Sequence, residues 1–153
     1  GTMGFGLPAA IGAKLGRPEK DVWLITGDGS FQMTLKELMT AAAEGVCVKV
    51  AIINNRCLGM VRQWQEMFWE NRYSAVNLGE YPDFVKLAEG YGCVGVRVDH
   101  PDQVAESLRA AERVRDRPIV IDYRVAKQEN VFPMIPSGKT YNDLILHRRQ
   151  FEE

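Results

Sequence analysis

The chain has 153 residues, enough for one domain with a sizeable core. Apolar residues make up 46% and charged residues 25%, the balance of a soluble globular protein. The formal net charge of -1 gives no support to nucleic-acid binding, which needs a basic face, and Arg148-Arg149 is the one local basic hint, read as a solvated end. Cys47, Cys57 and Cys93 are scattered and form no C-x-x-C pair. They argue against a disulfide framework and a zinc site and predict reduced, mostly buried thiols in a cytoplasm-like compartment. No apolar stretch reaches the roughly 20 residues of a membrane helix, and no secretory signal is visible.

The first residues, Gly1 to Gly6, run straight into an apolar, helix-like segment from Leu7 to Leu15. This abrupt start suggests a piece of a longer chain. Asp21 to Thr26 reads as a buried strand that stops at Gly27-Asp28-Gly29. Thr34 and Glu37 have capping-box spacing. Leu35, Leu38, Met39 and Ala42 then give a helical stripe that Gly45 ends. Val46 to Ile53 is a β-branched, nearly continuous apolar run, suited to a parallel sheet covered on both faces. Asn54-Asn55 closes it.

Met60 to Glu70 predicts a helix with several aromatic residues. Phe84, Leu87 and Ala88 predict another after Pro82. Val94 to Val98 is a strand, and Val104, Leu108, Ala111 and Val114 mark an amphipathic helix. Ile119 to Val125 is the last strand. From Lys127 onward the chain reads as mostly irregular. The alternation predicts an α/β domain, a parallel sheet with helices on both faces. The domain is placed at 1–126 and a C-terminal tail at 127–153, packed on or near the active site.

In such sheets ligands bind at the carboxyl ends of strands. Two strands end in polar turns, Gly27-Asp28-Gly29-Ser30 and Asn54-Asn55-Arg56-Cys57. If the strands are neighbours, both turns lie on one edge. Asp28 offers a carboxylate and Asn55 a side-chain carbonyl, hard oxygen donors suited to Mg²⁺ or Ca²⁺. Mg²⁺ commonly completes its octahedron with water and phosphate oxygens. Gly27 and Gly29 permit close approach of a ligand, and backbone N–H groups near Gly29 and Ser30 could hold an anion. The pattern suggests a Mg²⁺-diphosphate site. Either turn taken singly is also ordinary loop chemistry.

Gly27-Asp28-Gly29 followed by Asn54-Asn55 resembles the GDG…NN signature of thiamine-diphosphate enzymes, with spacing in that family's window. Three further segments look like the acetohydroxyacid (acetolactate) synthase large catalytic subunit. They are Gly1-Thr2-Met3-Gly4-Phe5-Gly6-Leu7-Pro8-Ala9-Ala10, Gly59-Met60-Val61-Arg62-Gln63-Trp64-Gln65, and Pro133-Met134-Ile135-Pro136-Ser137-Gly138. The resemblance extends over nearly the whole chain and implies the thiamine-diphosphate-binding fold.

By that resemblance Asp28 and Asn55 ligate Mg²⁺ through side chains and Cys57 through its backbone carbonyl. Met3 supports the bent cofactor. Gly27, Gly29, Ser30, Gly59, Met60 and Val61 lie beside it, and Trp64 favours 2-ketobutyrate as second substrate. The implied reaction is decarboxylation of pyruvate and carboligation to a second 2-keto acid. The products are 2-acetolactate or 2-aceto-2-hydroxybutyrate, at the head of branched-chain amino-acid synthesis. No catalytic acid–base residue is expected in this stretch, which fits a cofactor that carries the chemistry itself. The family's activating glutamate lies in an N-terminal domain of a partner subunit, and its FAD in a middle domain. The fragment alone is therefore expected to be inactive. The resemblance also implies a homodimer or tetramer with the active site between subunits. A regulatory small subunit is a further implied partner. The implied compartment is cytoplasmic, or a plastid or mitochondrion in a eukaryote. Two alternatives stay open: another thiamine-diphosphate decarboxylase or carboligase, and a non-catalytic nucleotide-binding module.

Other motifs fall short. Gly4-Phe5-Gly6-Leu7-Pro8-Ala9 fits G-x-G-x-x-A, but no strand precedes it. Ser137-Gly138-Lys139-Thr140 resembles the end of a P-loop, yet Pro133 stands where its first glycine should be. His100 and His147 lack triad partners and read as surface or capping histidines.

Overall fold

A computed structural model describes residues 1–80 and 82–147 of the chain. Arg148 and Arg149 lie outside the described residues. The elements are α1 (Gly6–Gly16), β1 (Trp23–Gly27), α2 (Asp28–Gln32), α3 (Glu37–Ala43), β2 (Lys49–Asn54), α4 (Gly59–Phe68), α5 (Phe84–Gly90), β3 (Val94–Val98), α6 (Val104–Arg113) and β4 (Ile119–Arg124).

The four strands form one parallel sheet in the order β1-β2-β4-β3. Side chains alternate across a strand, so each strand feeds two layers. Leu24, Val50, Ile52 and Val120 pack with Leu7, Ala10, Phe31, Leu38, Ala41, Phe84 and Ala88, which come from α1, α2, α3 and α5. The opposite set, Val98, Ile119 and Ile121, packs with Ala111 of α6. Helices therefore stand on both faces, and the β-branched runs of β2 and β4 are buried for that reason. The thiols Cys47, Cys57 and Cys93 are free and buried.

α5 is started by Asp83, whose carboxylate accepts from the N–H groups of Val85 at 3.1 Å and Lys86 at 3.3 Å. It lies so close to β3 that a Cβ on Gly95 would stand 2.8 Å from the Val85 carbonyl oxygen. Backbone cannot yield as a side chain can. Gly95→Ala is expected to cost about 1–3 kcal/mol, the usual penalty of overpacking, and the urea midpoint of unfolding checks it.

Two local expectations are corrected. The Thr34–Glu37 capping box does not form: α3 begins after Lys36 without a side-chain cap. Thr34 Oγ1 instead donates to the Gly4 carbonyl at 2.8 Å, because the N-terminal segment folds back beside it. The run from Val46 enters the sheet only at Lys49, since Val46 to Val48 are buried but make a tight turn, with Val48 N–H donating to the Val46 carbonyl at 3.0 Å. His100 is exposed and caps the 3₁₀ turn Pro101–Gln103 by accepting from Asp102 N–H. Ser137 to Thr140 forms no phosphate loop; Thr140 caps the 3₁₀ turn Tyr141–Asp143.

Candidate cofactor site at the strand ends

β1 and β2 are neighbours, with Gly27 paired to Ile53, so the two polar turns lie side by side at the carboxyl edge of the sheet. The β1 turn leads without a loop into α2, whose first residue is Asp28. That short helix was not expected from the sequence, because a single turn is too brief to show a period. The β2 turn is held by its own side chains. Asn54 Oδ1 accepts from Arg56 N–H at 3.1 Å and Asn55 Oδ1 from Cys57 N–H at 3.1 Å. Arg56 takes a positive φ of 58° to make the bend. The segment 76–78 braces it from outside, with Leu58 N–H donating to Val76 O at 2.9 Å and Leu78 N–H to Arg56 O at 2.9 Å.

The N-terminal segment completes the edge. Gly4 N–H donates to Ser30 Oγ at 3.1 Å, which lays Met3 against the start of α2. Gly4 has a φ of 86°, a left-handed conformation that a side chain would strain.

Between these pieces lies a cavity of about 330 Å³, within the range of small-molecule sites. Met3, Gly27, Asp28, Gly29, Ser30, Asn55, Cys57, Gly59, Met60 and Val61 all line it. The structure thus brings together all ten residues expected beside a cofactor. Trp64 is not among them. It lies one turn further along α4, stacked edge-on against Phe68 at 5.5 Å. Ile53 and Leu58 also line the cavity and were missed. Ile53 could have been found from alternation along β2: Val50 and Ile52 face the core, so Ile53 faces away from it.

Asp28 is buried, and among the described residues it has no ion pair with a basic side chain. Its Oδ1 accepts from Gly29 N–H at 3.0 Å. Burial pushes its carboxyl above the ordinary value, opposed by nearby backbone N–H groups. The Gly29 N–H expected to meet an anion is thus turned to Asp28 itself. A buried carboxylate facing a cavity beside an amide oxygen fits a hard divalent cation. Among the described residues no group of three His, Cys, Asp or Glu could hold a metal, so a thiolate–imidazole site is not offered. Gly29 keeps the floor open: a Cβ there would stand 2.9 Å from Leu58 Cδ2 and 3.4 Å from Met3 Cε.

A parallel α/β domain with an oxygen-donor pair and an apolar cavity at two adjacent strand ends is a cofactor-binding domain of the strand-edge kind. Residues 1–123 match the thiamine pyrophosphate enzyme, C-terminal TPP binding domain, and the chain belongs to that family. It is 55% identical over 149 residues to an acetolactate synthase of Mycobacterium avium, covering 95% of this chain and 24% of that one. It is 53% identical over 148 residues to an acetolactate synthase large subunit of Corynebacterium glutamicum, covering 94% and 24%. Among solved structures, it is similar to the thiamine diphosphate-dependent 4-hydroxybenzoylformate decarboxylase of Rhodococcus jostii RHA1, with TM-score 0.76 and 33% identity. That match covers 84% of this chain and 24% of the other. The chain spans about a quarter of the length of these relatives.

Proposed function

We propose that this chain is the thiamine-diphosphate-binding part of an acetolactate synthase large subunit. The observation that carries the reading is the meeting of Asp28, Asn55 and Cys57 around one cavity whose other walls are Met3, Gly29, Met60 and Val61. Identity of 50–55% to several acetolactate synthases, spread over nearly the whole chain, supports that activity over a plain decarboxylase.

In this reading Asp28 and Asn55 hold Mg²⁺ through side-chain oxygens and Cys57 through its backbone carbonyl. Gly27, Gly29 and Ser30 make room for a diphosphate. Met3, Gly59, Met60 and Val61 shape the apolar wall around the rest of the cofactor. When bound, thiamine diphosphate supplies the nucleophilic carbon that accepts a 2-keto acid and permits loss of CO₂. The chain's own residues neutralise the diphosphate's charge through the metal, orient the cofactor and limit water at the apolar side. Activation of the cofactor, FAD binding, assembly into a dimer or tetramer with shared active sites and contact with a regulatory small subunit are assigned to the longer protein. A cytoplasmic location belongs to the same reading; no helix among the described residues is long and apolar enough to cross a membrane.

The test is acetolactate formation from pyruvate by the full-length gene product, with and without thiamine diphosphate and Mg²⁺. Activity that requires both is expected. Release of free aldehyde and CO₂ without acetolactate would move the function to a decarboxylase. Trp64 extends the apolar side of α4 beyond the cavity, where a second 2-keto acid would approach. Trp64→Leu is expected to lower the preference for 2-ketobutyrate over pyruvate as acceptor, read as the product ratio at equal concentrations of the two.

A further inference from the structure

Helix α4 is turned inside out. A surface helix ordinarily buries its apolar stripe and exposes its polar one. Here Met60 and Val61 are 51% and 49% exposed, whereas Arg62 and Gln63 are 4% and 1% exposed. Val61, Trp64 and Phe68 follow helical spacing along one side, and its first turn, with Met60 and Val61, forms part of the cavity wall.

The polar side is buried against residues 129–134. Gln63 Nε2 donates to the Val131 carbonyl at 2.9 Å, and Val131 N–H donates to Gln63 Oε1 at 2.7 Å. The side-chain amide thus pairs with Val131 as a neighbouring strand would. Met134 Sδ lies 3.1 Å from the same Nε2. One turn of helix holds a second set. Arg62 Nη1 pairs with Glu66, Arg62 Nη2 donates to Asn130 Oδ1, and Asn130 Nδ2 donates to Glu66 Oε1 at 3.0 Å. The three side chains close a ring in which the two charges offset each other. Groups of this kind stay buried only while their partners are in place. Rotation of α4 and docking of 129–134 are therefore one event.

We infer that Arg62 and Gln63 are positioning residues: a buried polar clamp onto residues 129–134 that keeps α4 turned with Met60 and Val61 on the cavity wall. The inference rests on the proposed function only for what the cavity binds.

Cys57 gives a local reporter, since this buried residue is among those lining the same cavity just before α4, while Cys47 and Cys93 are buried elsewhere. The experiment uses the full-length, cofactor-free protein and N-ethylmaleimide, with labelling of the three cysteine peptides followed by mass spectrometry. The variants are Gln63→Ala and Asn130→Ala; the second leaves α4 itself intact and serves if the first does not fold. Cys57 is expected to label roughly tenfold faster in each, with Cys47 and Cys93 unchanged, the pattern of a local opening. Acceleration of all three cysteines together, which general destabilisation would produce, overturns the inference. So does an unchanged rate at Cys57. A protein that behaves as expected here yet binds no thiamine diphosphate would refute the cofactor reading and leave the clamp standing.

Discussion

Replacing Asp28 with alanine in the full-length protein is expected to abolish Mg²⁺-dependent retention of thiamine diphosphate. Among the described residues Asp28 is the one carboxylate that lines the cavity, so none of the others there supplies a full negative charge to a cation. Loss of groups that merely orient a metal ligand costs 10–100-fold in affinity, and loss of the ligand itself should cost about 100-fold or more. Cofactor content after gel filtration in Mg²⁺ measures it. Wild-type content in the variant would remove the metal assignment.

Asp28→Asn separates metal binding from stability. Burial raises the Asp28 carboxyl above its ordinary value, so the folded state holds that proton more tightly than the unfolded chain does. The stability this contributes is present below the ordinary carboxylate range and is lost as pH rises through the raised value. At neutral pH the ionised group opposes folding in the absence of metal. Asparagine imitates the protonated form. The cofactor-free Asp28→Asn protein should therefore melt at a higher temperature than wild type at neutral pH, with the difference closing as pH falls. Added Mg²⁺ and thiamine diphosphate should raise the melting temperature of wild type alone.

The largest stability effect is expected at Asp122, in the middle of the sheet and fully buried. Its Oδ1 accepts from Asn54 Nδ2 at 2.7 Å and its Oδ2 from Arg124 Nε at 3.0 Å, with Arg97 Nε 3.8 Å away. Arg97 in turn donates to Asp83 at 2.6 Å, the residue that starts α5. Asp122→Ala strands the Asn54 amide and leaves Arg124 without its buried counter-charge. Breaking a buried pair from one side costs about 3–5 kcal/mol. The effect should reach the site as well, because Asn54 also accepts from Arg56 N–H and so shapes the turn that carries Asn55. Mg²⁺ affinity should fall about 10–100-fold, as for other outer-sphere supports. Urea unfolding and a metal titration of the full-length variant check the two effects. An unchanged unfolding midpoint would show that Asp122 anchors nothing.

The elements that depend on local chemistry were legible in the chain itself. β-branched runs gave β2 and β4, alternation of strand and helix gave the parallel sheet, and the GDG and NN turns marked the edge where the cavity lies. These features repeat at short range, and burial on both faces leaves a continuous apolar run that needs no partner to be recognised. Asp28 and Asn55 could be singled out because turn residues carry their donor chemistry in their identity, whereas Cys57, expected to act through its backbone carbonyl, came from the family resemblance alone.

Tertiary contacts decided the rest. Thr34 and Glu37 have the spacing of a cap, yet the returning Gly4 carbonyl takes the Thr34 hydroxyl. Asp122 reads as one polar residue in a strand until Asn54 and Arg97 converge on it from sequence positions far away, joining Arg124 of its own strand. The rotation of α4 is the clearest case. Its pattern alone would bury Met60, Val61 and Trp64, and the period of a helix says nothing about which face meets which partner. Only residues 129–134, brought alongside by the fold, supply the Val131 backbone that satisfies Gln63 and the Asn130 side chain that meets Arg62, and so make the polar side the buried one. Local periodicity determines which residues share a face; partners distant in sequence determine where that face points.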